Sequence, residues 1–250
     1  MPKFLRSPSS RSSSTSGDLT TLTDPPPPHF LLLLLLLDRG VEKKKKKVKF
    51  ATPPPSYFSC QKMEKTFWAA AKDGKVKEVK DILRKNPSLN VNWKNEESYA
   101  STAFVAACDN DQDSVVSILL AHPDINPNLK NKGGNTPFMA ACFYGNESCV
   151  RLLLQDLRVM VNEPYEGYTP LKWAADKGHQ NVIKWWIASG REMNLGTPGN
   201  DKTDAIGAAK RKGKTEVASL LERFKSNATK TRKEIRKQLR IIGQSNLLLG

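Results

Sequence analysis

Aromatic side chains stand in pairs beside turn-formers at two places in this 250-residue chain. Phe143 and Tyr144 immediately precede Gly145, and Tyr165 and Tyr168 flank Gly167. Such rings bury large apolar area at low entropic cost, which suits the capture of a partner. Other chemistry has little to stand on. Cys60, Cys108, Cys142 and Cys149 form no Cys-x-x-Cys pair and do not cluster with the three histidines, so zinc-ligand spacing is absent. There is no phosphate loop and no Gly-x-Ser-x-Gly. Asp176 and Lys177 are adjacent, but before Gly178 they read as two exposed helix-end residues. No residue set invites a catalytic role, and neither cofactor nor metal is expected.

The elements that would position these side chains recur. An apolar residue appears at Phe67, Phe104, Phe138, Leu171 and Ile206. Three residues later comes Ala70, Ala107, Ala141, Ala174 or Ala209. A turn-former follows at Gly74, Asp111, Gly145, Gly178 and Gly213, and a bulky apolar residue at Ile82, Leu119, Leu153, Trp186 and Leu221. All four columns step by 37, 34, 33 and 35 residues. Matched steps in this range mean stacked repeats. Thr136-Pro137 and Thr169-Pro170 place an N-cap before a proline that needs no N–H at the first helical position. Thr102 and Asp204 keep the cap without the proline. A second helix follows each turn, with apolar spacing as in Val115, Val116, Leu119 and Leu120. Asn-, Gly- and Pro-rich stretches then lead to the next cap as turns and short hairpins.

The run Thr136-Pro137-Phe138-Met139-Ala140-Ala141 with Gly145, and Thr169-Pro170-Leu171-Lys172-Trp173-Ala174 with Gly178-His179, resembles the ankyrin repeat family over roughly residues 60–225. The resemblance implies an all-α solenoid of about five helix-turn-helix units with short hairpin fingers. Glu78 and Asp81 in the first unit, and Glu222 in the last, replace apolar residues of the inner units, as a wet outer face requires. The family's first helix usually carries a His that ties adjacent fingers. Here the matching positions are Trp68, Val105, Met139, Lys172 and Gly207, so the array is expected to be less stable than a consensus one.

The chain divides into a tail at 1–56, a repeat domain at 57–225, and a basic helix or tail at 226–250. Its net charge of +15 sits at the ends. Residues 1–50 hold 10 basic and 4 acidic side chains (+6), residues 210–250 hold 12 and 3 (+9), and residues 51–209 hold 18 of each. A neutral body is no nucleic-acid surface, so nucleic acid or an anionic surface would meet the tails. The N-terminal tail reads as a disordered, low-complexity extension; a signal peptide and a transit peptide are the alternatives. Its apolar run, Phe30 to Leu37, is far short of the ~20 residues that span a bilayer. Lys43 to Lys47 with Lys49 read either as a nuclear import signal or as a solvated charge run, with lipid adhesion ranked third. In the C-terminal segment, Ile235, Leu239 and Ile242 share one helix face, for docking on the last repeat or for presenting a basic helix to a partner.

In stacks of this family the fingers and the exposed ends of the first helices form a concave face. The resemblance puts there Asp109 and Asn110, Phe143 and Tyr144, Asp176 and Lys177, and Arg211 and Lys212. From the fingers come Trp93, Lys94 and Tyr99, then Lys130 and Lys132, then Tyr165 and Tyr168. Trp173, Trp185 and Trp186 match core columns and are expected to be mostly structural. The function expected is a non-enzymatic protein-interaction scaffold, monomeric, with another protein as partner and no small-molecule substrate. The rival is a nuclear or nucleic-acid-associated factor acting through its basic tails. Buried reduced thiols suit the cytoplasm or nucleus.

Overall fold

A computed structural model describes residues 55–240, with side chains from Gln61 onward; the expectations for residues 1–54 and for Ile242 lie outside the described residues. The described residues form five helix pairs and one further helix. The pairs are α1 (Pro55–Lys72) with α2 (Val76–Lys85), α3 (Ala103–Asp109) with α4 (Asp113–Leu120), and α5 (Pro137–Tyr144) with α6 (Glu147–Gln155). Then come α7 (Pro170–Lys177) with α8 (Gln180–Ser189), α9 (Ala205–Arg211) with α10 (Thr215–Ser226), and the single helix α11 (Ala228–Gln238).

Each expected cap forms. The side-chain oxygens of Thr102, Thr136, Thr169 and Asp204 accept from the N–H groups of Val105, Met139, Lys172 and Gly207 at 2.8–3.2 Å. All five turn-formers adopt positive φ, Asp111 included. Consecutive first helices pack side by side from α1 to α9. Phe67, Phe104, Phe138 and Leu171 are the buried rungs between them, together with all five column alanines; Ile206 in the last unit is half-buried. Trp186 is fully buried with its ring 4.9 Å from Phe138, edge to face.

The fingers are short. A two-stranded ladder pairs β1 (Lys94–Asn95) with β2 (Ser101–Thr102), and a single bridge joins Tyr165 to Tyr168. Two devices tie them into a stack where no histidine does. Asn92 donates to the Asp124 carbonyl and accepts from the Asn126 N–H; Asn128 does the same with Arg158 and Met160, and Asn162 with Glu192 and Asn194. Each such bond contributes about 1 kcal/mol. Arginines then cap the open carbonyl end of the preceding second helix: Arg158 donates to Leu120, and Arg191 to Leu154. A cation at a helix C-terminus satisfies both its orphan carbonyls and its dipole.

Helix α11 continues this second device. Arg232 and Arg236 donate to the carbonyls of Ile187 and Ala188 at the end of α8, at 3.1 and 2.7 Å. Ile235 between them is fully buried and Leu239 packs on the same core. The apolar stripe therefore docks on α8 and α10, and two of the basic side chains serve the dock.

Candidate functional site

A groove of about 680 Å³ runs across the first three units and ends on the fourth. Its shape comes from one column. The residue five places before each turn-former is Ala69, Ala106, Ala140, Trp173 and Ala208 in the five units. Ala106 and Ala140 line the groove as a shallow floor, and Trp173 closes it like a step. The expectation that Trp173 belongs to the core is therefore corrected: it is half-buried and faces the groove. Trp185 is half-buried too, with its Nε1 donating to Glu147 at 2.6 Å, whereas Trp186 is core.

Trp173 organises the aromatic end. Phe143 meets its ring edge-on at 5.3 Å, Tyr168 stacks on it at 5.2 Å, and Tyr144 meets Phe143 at 5.1 Å. Lys172 lies beneath, buried, with Nζ 4.2 Å from the Trp173 centroid and 3.7 Å from the Asp176 carboxylate. Lys177 sits over Phe143 at 4.8 Å. Tyr144 is 56 % exposed and Tyr99, at the finger side, 77 %. Tyr165 also lines the groove, but its ring covers the α-carbon of Gly134, so it serves the packing of one finger on the next.

The opposite end is acidic. Asp109 is half-buried, and burial pushes its carboxyl up to about 6. Among the described residues no hydrogen bond or ion pair reaches that carboxylate. Its neighbours in the groove are Asn110, Lys72, whose Nζ lies 5.6 Å over the Trp68 ring, and Trp68 itself, whose indole N–H is buried without an acceptor.

The other expected residues have other duties. Lys94 donates to the Lys130 carbonyl, Lys130 pairs with Glu163, and Lys132 pairs with Glu96, so these lysines lace the fingers together. Trp93 is half-buried outside the groove lining. Asp176 is not an exposed helix end: its side chain is 16 % exposed and faces Lys172. Arg211, 3.4 Å from Asp201, and Lys212 are exposed in the fifth unit, away from the groove. A second recess, about 720 Å³, lies on the terminal pair α1–α2, where Met63, Val76 and Ile82 are rimmed by Glu78, Asp81 and three lysines.

Cys108, Cys142 and Cys149 are free thiols in the core, and burial holds the thiols of Cys108 and Cys142 well above the usual range. They are inert packing residues. No group of three or more metal-ligating side chains gathers among the described residues. No helix among them is long and apolar enough to cross a membrane.

Comparison with known proteins agrees with this geometry. The chain is 32 % identical over 95 residues to alpha-latrocrustotoxin-Lt1a of Latrodectus tredecimguttatus. That match takes in 38 % of this chain but only 7 % of the toxin's length. The family model described as "Ankyrin repeats (3 copies)" matches residues 66–159 and 123–197, more than half of the sequence. Periodic columns, capped helix pairs and family match agree: the chain belongs to the ankyrin repeat family.

Proposed function

We propose that this chain is a non-enzymatic scaffold that captures a partner protein in the groove between Asp109 and Trp173. Ankyrin repeats generally mediate protein–protein interaction. The observation that carries the reading to this face is Trp173: the one large residue in an otherwise all-alanine column, flanked by exposed Tyr144. Apolar rings left open beside a shallow floor are the anatomy of an interface hot spot. The buried thiols fit the cytoplasm or nucleus, and the chain acts as a monomer.

Site-specific photo-crosslinking tests this. Benzoylphenylalanine replaces Tyr144 in one full-length chain and Leu157, exposed on the second-helix side, in another. The proposal expects one discrete protein adduct from position 144 and none from 157. Equal adducts from both positions, or none from 144, contradict it.

The basic segments support a second, weaker reading, contact with nucleic acid. Binding of that kind falls steeply with salt and disappears when residues 1–56 and 226–250 are removed. Arg232 and Arg236 are already engaged by α8, which leaves fewer charges for it.

A further inference from the structure

The groove is chemically polarised. Its aromatic end already holds two cations of the chain itself, Lys177 over Phe143 and, beneath Trp173, Lys172, which faces Asp176 at 3.7 Å. A third cation arriving there would meet like charge. Its other end holds the Asp109 carboxylate, which no hydrogen bond or ion pair reaches among the described residues. The neighbouring finger acids are answered within the stack, Glu97 by Lys65 and Glu96 by Lys132, both at 2.6 Å. Asp109 is not. Asp111 stands on the following turn, and Lys72 is the basic side chain that shares this end of the groove.

A half-buried, unpaired carboxylate is unfavourable for the folded chain, and burial keeps its protonated form populated near pH 6. Groups placed so in a cleft are candidates for ligand contact. An incoming ammonium or guanidinium would restore the missing counter-charge in a site where water is partly excluded.

We infer that the acidic end of the groove reads a lysine or arginine of an extended partner segment. Asp109 is its counter-ion, and Phe143, Tyr144 and Trp173 receive apolar residues further along the same segment. This rests on the capture reading given above and specifies the partner's chemistry.

Asp109 lends itself to charge reversal. The matching position, two before the turn-former, holds Lys72, Asp109, Phe143, Asp176 and Arg211 in the five units, so the fold accepts a basic side chain there. The test is selection of a random dodecapeptide phage library on the full-length chain and on three variants: Asp109→Asn, Asp109→Lys and Trp173→Ala. Wild type is expected to enrich Lys or Arg at one fixed spacing from an apolar residue. Asp109→Asn should lose that enrichment and bind the selected peptides about tenfold more weakly, and Asp109→Lys should enrich Asp or Glu at the same position. If peptides selected on wild type show no basic preference yet depend on Trp173, the groove binds protein and the charge assignment is wrong. If no peptide depends on Trp173, the capture reading fails, and the inference with it.

Discussion

The imidazole of His179 lies directly over the α-carbon of Gly145. A β-carbon built at Gly145 would stand 2.4 Å from His179 Nδ1, and His179 Nε2 is 2.9 Å from the Phe143 carbonyl, to which it donates. The same approach joins Gln112 to Gly74 and Lys214 to Gly178. The turn glycine is thus a contact between units as well as a bend, at φ 81° for Gly145. Gly145→Ala combines a strained backbone with a displaced histidine. Urea unfolding should show a loss of about 2–4 kcal/mol. A loss below about 0.5 kcal/mol would mean that the histidine moves aside freely.

The asparagine ladder carries a second expectation. Asn128→Ala removes one donor and one acceptor between successive fingers, and should cost about 1–3 kcal/mol. Asn128→Asp keeps the acceptor for Met160 N–H but loses the donor to Arg158, so it should fall between. Thermal melts of the two variants beside wild type check the order. Indistinguishable melting temperatures would remove the ladder from the account of finger stacking.

Asp109 sets a pH dependence whose sign is opposite to that of most acids. Its carboxyl titrates near 6 in the folded chain against 3.8 ordinarily. Between those values the folded chain holds a proton that the unfolded chain has lost, so this group makes stability fall as pH rises from about 4 to about 6. The ceiling is about 3 kcal/mol, and residual solvent reduces it to roughly 1. Lys72 of α1 and Glu97 of the finger share the groove lining with Asp109, and Asp111 stands on the following turn. Asp109→Asn should therefore be about 1 kcal/mol more stable than wild type at pH 7 and equal to it near pH 4. A variant less stable at pH 7 would mean that the carboxylate has a favourable partner.

Helix α11 belongs to the stack energetically. Ile235 is fully buried against it, so Ile235→Ala should cost about 2–4 kcal/mol. Arg236→Ala leaves the Ala188 carbonyl without its donor, and about 1–2 kcal/mol should be lost. Hydrogen exchange should quicken first at the C-terminal end of α8. Unchanged exchange there in both variants would show α11 to be a bystander.

Why the columns could be read from the sequence and the groove could not has a physical basis. Phe104, Ala107, Asp111 and Leu119 each answer one steric demand that recurs in every unit, so identity and spacing suffice. The apolar stripe through Ile235 is legible from its helical spacing, whereas the choice between docking on the last repeat and meeting a partner is not. Trp173 is not legible as a surface residue because an apolar side chain at helical spacing reads as core. Its column of alanines was the available signal, since a large ring among small residues has nowhere to go but outward. The ladder of Asn92, Asn128 and Asn162, spaced by 36 and 34, was equally visible, yet asparagine in loops reads first as turn chemistry. Lys130 and Lys132 read from the sequence as contact residues, but finger lysines find acids on the neighbouring finger. No sequence rule foretells that Asp109 goes unpaired, because pairing is decided by which side chains of other units come within reach.

The proposed capture of a protein partner turns on Trp173 as its anchor. Alanine is what the other four units carry at this position, so Trp173→Ala changes the surface with little change to the fold. The deciding measurement is the affinity of the protein crosslinked at position 144 for wild type and for Trp173→Ala, with matched circular dichroism. A loss of about 30-fold or more, the weight of a true anchor at about 2 kcal/mol, is the expected result. An affinity unchanged within about twofold contradicts the account.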